Sequence, residues 1–424
     1  SIAAVLGFGL AQLFHFRIVR VAAAFVRAVH ELFWALIFLQ MFGINALTGV
    51  LAIAIPYAGI FAKVYAEILE EADTTALRAM PKGAGRVSIF FFARLPDVWV
   101  HLKSYTYYRF ECGLRSSAIL GFVGVPTLGY HLDSAFRQGQ YSEVAALLFS
   151  FYLLIATIRW WLRPRLMPVY LAVAPFLLPV GAAISWDNVV RFFTSDIVPH
   201  PLRVAESLDA SAWSAFGDWL WHLVSEQALP GIIDTLLLTQ IALVGAGLLT
   251  LVFFPLVSRK FMGPAGTGVG HVILVVLRST PEFILAYLFL QFWGPSMLPA
   301  IIALALHNGA IMGHLMGRHS NEITLRPDAA RGIDRYGWEI LPRIYPQFLA
   351  FLFYRWEVIL RETAILGILG IHTLGFYVDS AIQDIRLDRA MVLIFITAML
   401  NIGVDTASRA IRSRLRLTTT PDAT

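Results

Sequence analysis

Residues 108–135 read YRFECGLRSSAILGFVGVPTLGYHLDSA, and residues 354–381 read YRWEVILRETAILGILGIHTLGFYVDSA. At a constant offset of 246, without a gap, 16 of the 28 positions are identical. Apolar helices share Leu, Ile and Ala through composition alone, but Tyr-Arg-x-Glu, Thr-Leu-Gly and Asp-Ser-Ala are not generic membrane words. The chain therefore carries an internal repeat. Leu95-Pro96 and Leu341-Pro342 keep the same offset. Farther upstream, Arg27–Gly43 matches Arg278–Gly294 at an offset of 251. Seven of 17 positions agree there, among them Arg27/Arg278, Glu31/Glu282, Gln40/Gln291 and Gly43/Gly294.

Composition says what kind of chain is repeated. Of 424 residues, 58% are apolar and 14% charged, against roughly 25% charged in an ordinary soluble domain. A single core cannot absorb that apolar excess at this length, whereas a bilayer-spanning helix takes up about 20 apolar residues. A soluble enzyme, a disordered chain and a secreted disulfide scaffold are excluded. Cys112 is the sole cysteine, so neither an internal disulfide nor a cysteine-based zinc site can form. The net charge of +5 is explained by basic cytoplasmic loops and does not point to nucleic acid.

Apolar runs fall at about 2–14, 28–42, 46–62, 98–114 and 143–161, then at 167–186, 231–257, 271–293, 297–316, 344–360 and 388–408. These eleven divide into five and six. The loop at 187–230 carries six acids against Arg191 and Arg203 and reads as external. An amphipathic surface helix is expected within it at about 211–226, rich in tryptophan. Arg17, Arg20 and Arg27, then Arg159, Arg163 and Arg165, then Arg259 and Lys260, and finally Arg409 to Arg416 all thread to the cytoplasmic side. The predicted fold is an all-α polytopic membrane protein of two tandem parallel repeats, about six transmembrane helices each. Its halves are 1–165 and 166–424, and the C-terminus is cytoplasmic. Ser1 already lies within an apolar stretch, so the first repeat is expected to lack its first helix, and a full chain to have twelve.

At this point the residues resemble a family. Arg278-Ser-Thr-Pro-Glu282, Leu341-Pro342, and YRWEVILRETAILGILG with its closing Asp379-Ser380 are similar to the permease subunits of bacterial phosphonate importers of the ABC class. The resemblance covers both copies, roughly 27–161 and 231–414. It implies the ABC importer permease fold, with a pseudo-twofold pore built from two halves that are here fused in one chain. It further implies two cytoplasmic ATPase subunits that hold ATP and Mg, a periplasmic substrate-binding protein, and residence in the bacterial inner membrane. The cargo would be a phosphonate or a related phosphorus oxyanion: phosphite, hypophosphite or phosphate. The permease itself would bind no cofactor and catalyse nothing, and no GxxxxGK[ST] nucleotide loop occurs in the sequence. A secondary anion transporter, or a membrane enzyme or scaffold subunit, is the alternative.

The family's ATPase-docking loop ends in Leu-Pro, with a Glu-Ala-Ala motif and a Gly upstream. Gly83 stands 13 residues before Pro96, while Leu77-Arg78-Ala79 fills the Glu-Ala-Ala position. In the second copy Ala329 replaces the Gly, and Glu322 lies one residue from the expected Glu. The loops 66–96 and 318–342, with Arg78, Gly83, Arg86, Glu322, Arg326 and Arg331, are the docking candidates.

Three sets of residues recur in both copies. Arg109, Glu111 and Arg115 return as Arg355, Glu357 and Arg361. Glu111–Arg115 and Glu357–Arg361 have helical i,i+4 spacing in the favourable order, which leaves Arg109 and Arg355 over. Charges at membrane depth mark pathways, and the arginine fork suits phosphorus oxyanions; the alternative is a structural salt-bridge network. The second set is Gly121, Gly124 and Gly129 with Thr127, matched by Gly367, Gly370 and Gly375 with Thr373. It reads either as a helix break that gates or lines a cavity or as small-residue helix packing. The third is Arg27–Glu31 and Arg278–Glu282, again at i,i+4 spacing. Gly263 to Gly270 reads as a flexible connection. His307, His314 and His319 have no ligand spacing, and no metal site is expected.

Overall fold

The computed structural model describes residues 2–70, 81, 83, 85–163, 166–177, 184–294 and 296–415, and these are helical with no strand among them. The chain divides into two compact units, Ser1–Phe192 and Phe193–Thr424. The first unit contains α1 (Ile2–Gln12), α2 (Arg17–Ala28), α3 (Glu31–Phe42), α4 (Ala46–Glu70), α5 (Leu95–Leu120), α6 (Leu128–Arg137), α7 (Tyr141–Ala156) and α8 (Met167–Leu177). The second contains α9 (Ala210–Leu223), α10 (Leu229–Val257), α11 (Pro264–Ser279), α12 (Glu282–Trp293), α13 (Met297–Glu322), α14 (Leu341–Leu366), α15 (Leu374–Gln383) and α16 (Leu387–Arg414).

Four described helical stretches are long and apolar enough to cross a bilayer: Ala46–Glu70, Ala210–Val257, Met297–Glu322 and Leu387–Arg414. Three bent pairs bring the number to seven if each pair is one span. Eleven straight spans are therefore too many for the described residues. Hydropathy averages over a bend and cannot see it. The run at 271–293 is broken between α11 and α12, which meet at 92°. Pro281 has no N–H to donate and forces the preceding Thr280 into an extended conformation, ψ 121°. The first unit bends α2 against α3 by 91° without proline. There Val29 is extended, and the His30 ring Nδ1 accepts from the Leu32 N–H at 3.1 Å and caps α3. These breaks also correct the spacing argument for Arg27–Glu31 and Arg278–Glu282. Each pair straddles a right-angle turn, so the two residues do not share one helix face.

Proline also explains a second regularity. Leu95-Pro96, Leu229-Pro230 and Leu341-Pro342 each begin an α-helix directly after a π-helical segment, at Phe90–Arg94, Val224–Ala228 and Arg335–Ile340. A proline in a continuing helix clashes with the carbonyl four residues back and leaves it without a donor. A turn widened to π geometry is one way for the helix to accommodate that.

Packing follows small residues. Gly309, Gly313 and Gly317 recur every four positions on α13 and face α10. A Cβ on Gly313 would stand 2.6 Å from the Phe253 Cβ. The stretch Gly263–Gly270, expected to be a loose connection, instead opens α11 with Pro264 in its first turn. Gly270 lies so close to α10 that a Cβ would fall 2.2 Å from the Leu256 carbonyl oxygen. Away from these contacts α10 exposes Ile233, Leu237, Ile241, Val244, Leu248 and Val252. An apolar stripe of that length facing outward suits hydrocarbon.

The surface helix expected at about 211–226 is the first part of the continuous stretch Ala210–Val257. Asp209 caps it, accepting from the Ala212 N–H at 3.0 Å and the Ser211 hydroxyl at 2.6 Å. These bonds, the Ser211 one foremost, hold the Asp209 carboxyl below its ordinary range.

Candidate functional site

The repeated glycines build a sharp break. α5 ends in a 3₁₀ turn at Gly121–Val123, Gly124 adopts a left-handed φ of 88°, and α6 starts after Thr127. In the second unit Gly367–Leu369, Gly370 at φ 80° and Thr373 repeat the construction ahead of α15. The flanking glycines let backbone touch backbone. A Cβ on Gly129 would fall 1.6 Å from the Ala118 carbonyl oxygen, and one on Gly375 2.0 Å from that of Ala364. A Cβ on Gly121 or Gly367 would meet the Tyr130 or Phe376 amide nitrogen at 2.0 or 2.1 Å. The threonines differ. Thr127 Oγ1 is buried with no hydrogen-bond partner among the described residues, whereas Thr373 Oγ1 donates to the Thr363 carbonyl at 3.4 Å.

The arginine constellation lies on α5 and α14. Arg109 Nε donates to the Tyr105 hydroxyl at 2.8 Å, and its guanidinium carbon is 5.5 to 5.9 Å from the ring centres of Tyr105, Tyr108 and Tyr57. Such stacking suits the planar guanidinium. Arg115 donates to Cys112 Sγ at 3.3 Å. Glu111, Arg355, Glu357 and Arg361 are all half-buried.

Sequence spacing does not reveal the polar clusters that join the bend to the two long helices beside it. In the first unit Ser116 on α5 donates to Glu31 Oε1 at 2.6 Å. The Tyr57 hydroxyl on α4 lies 3.0 Å from the same Ser116 oxygen, and His30 Nε2 is 3.6 Å from Glu31 Oε2. In the second unit Glu282, His307 and Glu362 bring their ligand atoms within 4.8 Å of one another. His307 Nε2 is 3.6 Å from Glu282 Oε2, and its Nδ1 is 2.9 Å from the Thr280 carbonyl oxygen. Asn308 donates from Nδ2 to Glu362 Oε2 and to the Leu304 carbonyl, both at 3.0 Å. Glu282, His307 and Asn308 are buried. The three histidines weighed from sequence go separate ways: His314 meets His271, with ring centres 5.0 Å apart, and His319 faces Glu322 at 3.6 Å. Histidine spacing does not bring out the grouping of Glu282, His307 and Glu362, which come from three helices. One legible signal was Glu362, the acid next to Arg361, where the first copy has Ser116.

Of the docking candidates, Arg78 lies outside the described residues, as does the side chain of Arg86. Gly83 has φ 108°, and Arg331 is exposed. Glu322 ends α13. Arg326 is held by Glu339, a buried carboxylate not singled out from sequence. Glu339 accepts from the Arg326 N–H at 3.2 Å and pairs with Arg343 Nη2 at 2.8 Å. Its i,i+4 spacing to Arg343 was readable. Lys260 donates to the Ile323 carbonyl. Burial, then the nearby Arg343, lowers the Lys260 pKa.

No protein-family model matches the sequence. The chain is 25% identical to the phosphate-import permease protein of Mycolicibacterium smegmatis, with 94% of this chain and 78% of that protein covered. It is 35% identical over 134 residues to the phosphite transport system permease protein of Stutzerimonas stutzeri, spanning about half (49%) of that protein's length. Over 99 residues it is 31% identical to the cryptic phosphonate transport system permease protein of Escherichia coli K12, 81% of which is covered. This chain belongs to the phosphonate-type ABC permeases. As such a permease it is the transmembrane subunit of an ABC importer, and its long apolar helices are the candidate spans. A solved amino acid ABC transporter chain aligns with 49% of the permease at 18% identity and a TM-score of 0.38.

Proposed function

We propose that this permease carries phosphonates or related phosphorus oxyanions (phosphite, hypophosphite, phosphate) inward, with its two fused halves pairing about a pseudo-twofold axis to form one pore. The observation that carries the reading is the 108–135 and 354–381 repeat: one chain holds two copies of the family's most specific segment. The relatives, which are phosphate, phosphite and phosphonate permeases by name, support the cargo class.

In this reading 1–165 and 166–424 are the two halves, in tandem and parallel orientation, and the C-terminus is cytoplasmic in the bacterial inner membrane. Separate ATPase subunits, two per pore, bind ATP and Mg and dock on the loops 66–96 and 318–342. A periplasmic protein delivers the anion. ATP-driven closure of the ATPases moves the loops, and the halves rock between inward and outward access. The glycine breaks serve as gates, since a backbone turn at membrane depth is tolerated where it lines a cavity. Arg109 and Arg355, with Glu111, Arg115, Glu357, Arg361, Thr127 and Thr373, line the route of the anion. Guanidinium groups suit its oxygens.

The test is uptake into proteoliposomes that hold the permease with its ATPase and binding protein, assayed against the four anions. Uptake that requires ATP and prefers one of them is expected. Uptake driven by an ion gradient without ATPase would sink the proposal. In the same assay Arg355→Ala should reduce transport, and unchanged transport assigns Arg355 to structure.

A further inference from the structure

The cluster of Glu282, His307, Asn308 and Glu362 has features that hydrogen bonding alone leaves unexplained. The Thr280 carbonyl can only accept, so the His307 Nδ1 at 2.9 Å must be the protonated nitrogen. In neutral imidazole the other nitrogen then presents a lone pair. That nitrogen, Nε2, faces a second electron-rich atom, Glu282 Oε2, at 3.6 Å. The distance is long for a hydrogen bond. It is close to the roughly 3.4 Å that separates two ligands of a tetrahedral ion whose bonds are about 2.1 Å. A backbone carbonyl that fixes the tautomer through the remote ring nitrogen is the outer-shell partner that metal-bound histidines have.

Two glutamates share this buried space, and Glu362 Oε2 already receives the Asn308 amide N–H at 3.0 Å. The other end of that amide, Asn308 Oδ1, is wholly buried and has no hydrogen-bond partner among the described residues. A buried amide oxygen without a donor is costly and is itself a ligand atom for a cation.

The first unit offers an internal comparison. At the offsets of 251 and 246, the positions of Glu282, His307, Asn308 and Glu362 are occupied by Glu31, Pro56, Tyr57 and Ser116. That set keeps one carboxylate and answers it with a hydroxyl at 2.6 Å. Where the first unit has a proline and two hydroxyls, the second has a histidine, an amide and a second carboxylate.

We propose that Glu282, His307 and Glu362, completed by the amide oxygen of Asn308, bind a divalent first-row transition cation. Imidazole with carboxylates and no thiolate suits zinc or manganese. The ion would join three pieces of backbone: the start of α12 at the right-angle break, the middle of α13, and α14 just ahead of its glycine break.

The test uses the full chain purified in detergent from cells supplied with zinc or manganese, with metal content read by mass spectrometry. The same protein is then stripped with chelator and titrated with each ion. Close to one ion per chain is expected. Glu282→Gln and His307→Gln should each weaken binding by at least about tenfold. Asn308→Asp should retain the ion, and Glu31→Gln, in the other unit, should leave the content unchanged. If stripped wild-type protein binds neither ion, the proposal is overturned. Equal loss in Glu31→Gln would overturn it too. The wild-type titration does not depend on how well any variant folds.

Discussion

Ser116 donates a 2.6 Å hydrogen bond to Glu31 across 85 residues of sequence, and so fastens the right-angle turn between α2 and α3 to the C-terminal part of α5. Removing the hydroxyl takes one hydrogen bond from a mostly buried carboxylate. Ser116→Ala should cost about 1–3 kcal/mol, read as a lower unfolding temperature in detergent. Ser116→Thr, which keeps the donor, should lose less. Equal effects of the two would mean that packing, not the bond, holds the turn.

The glycine breaks make a sharper prediction. Gly129→Ala and Gly375→Ala place a methyl inside a carbonyl oxygen, and backbone cannot yield as a side-chain tip can. Each should cost more than about 3 kcal/mol and sharply reduce the yield of monodisperse protein. Gly403→Ala on α16, with nothing within 4 Å, should be tolerated. A normally folded Gly375→Ala protein would contradict the contact.

Glu339 is the node that ties 324–326 to α14, because Arg326 and Arg343 both pair with it and Arg343 also donates to the Thr324 carbonyl at 2.8 Å. Glu339→Gln weakens two charge-assisted bonds, about 1.5–3 kcal/mol in all. Trypsin should then cut after Arg331, which Gly332 follows, faster than in the wild type. An unchanged digestion pattern would show that the segment is held by something else.

The Asp209 cap carries a pH dependence. Its folded pKa lies below the ordinary 3.8, so its stabilising contribution is fully present above that value. It is lost as pH falls through the lower, folded value. Asp209→Ala should speed amide exchange at Ala212 and Trp213 near neutral pH. At pH well below the carboxylate range, variant and wild type should converge. Identical exchange at neutral pH would remove Asp209 from the cap.

The sequence made some of this legible and hid the rest for physical reasons. The Gly121 and Gly367 breaks could be read because a backbone–backbone contact dictates glycine, and glycine is visible. The bends at Val29-His30 and Thr280-Pro281 were hidden, since the apolar runs on either side look alike whether the helix continues or turns. The proline could have announced the second bend, but nothing announces the first. Glu31 and Glu282 stood out through repetition. Their partners did not, because Ser116 and Glu362 differ in kind, and Tyr57 and Asn308 become neighbours only once α4 and α13 are packed. Arg109 was read as a charge without a carboxylate, and its tyrosine surroundings lie one helical turn away and on another helix.

The 48-residue stretch Ala210–Val257 has a consequence of its own. At 1.5 Å per residue it measures about 70 Å, against a hydrocarbon slab of about 30 Å. Much of it must therefore stand clear of the lipid tails, and the exposed Trp213 and Trp221 ride near the far end. The helix is a lever arm. A change of about ten degrees in its inclination moves the tip by several ångströms, so a fluorophore there would report small tilts of the buried end as large displacements in water.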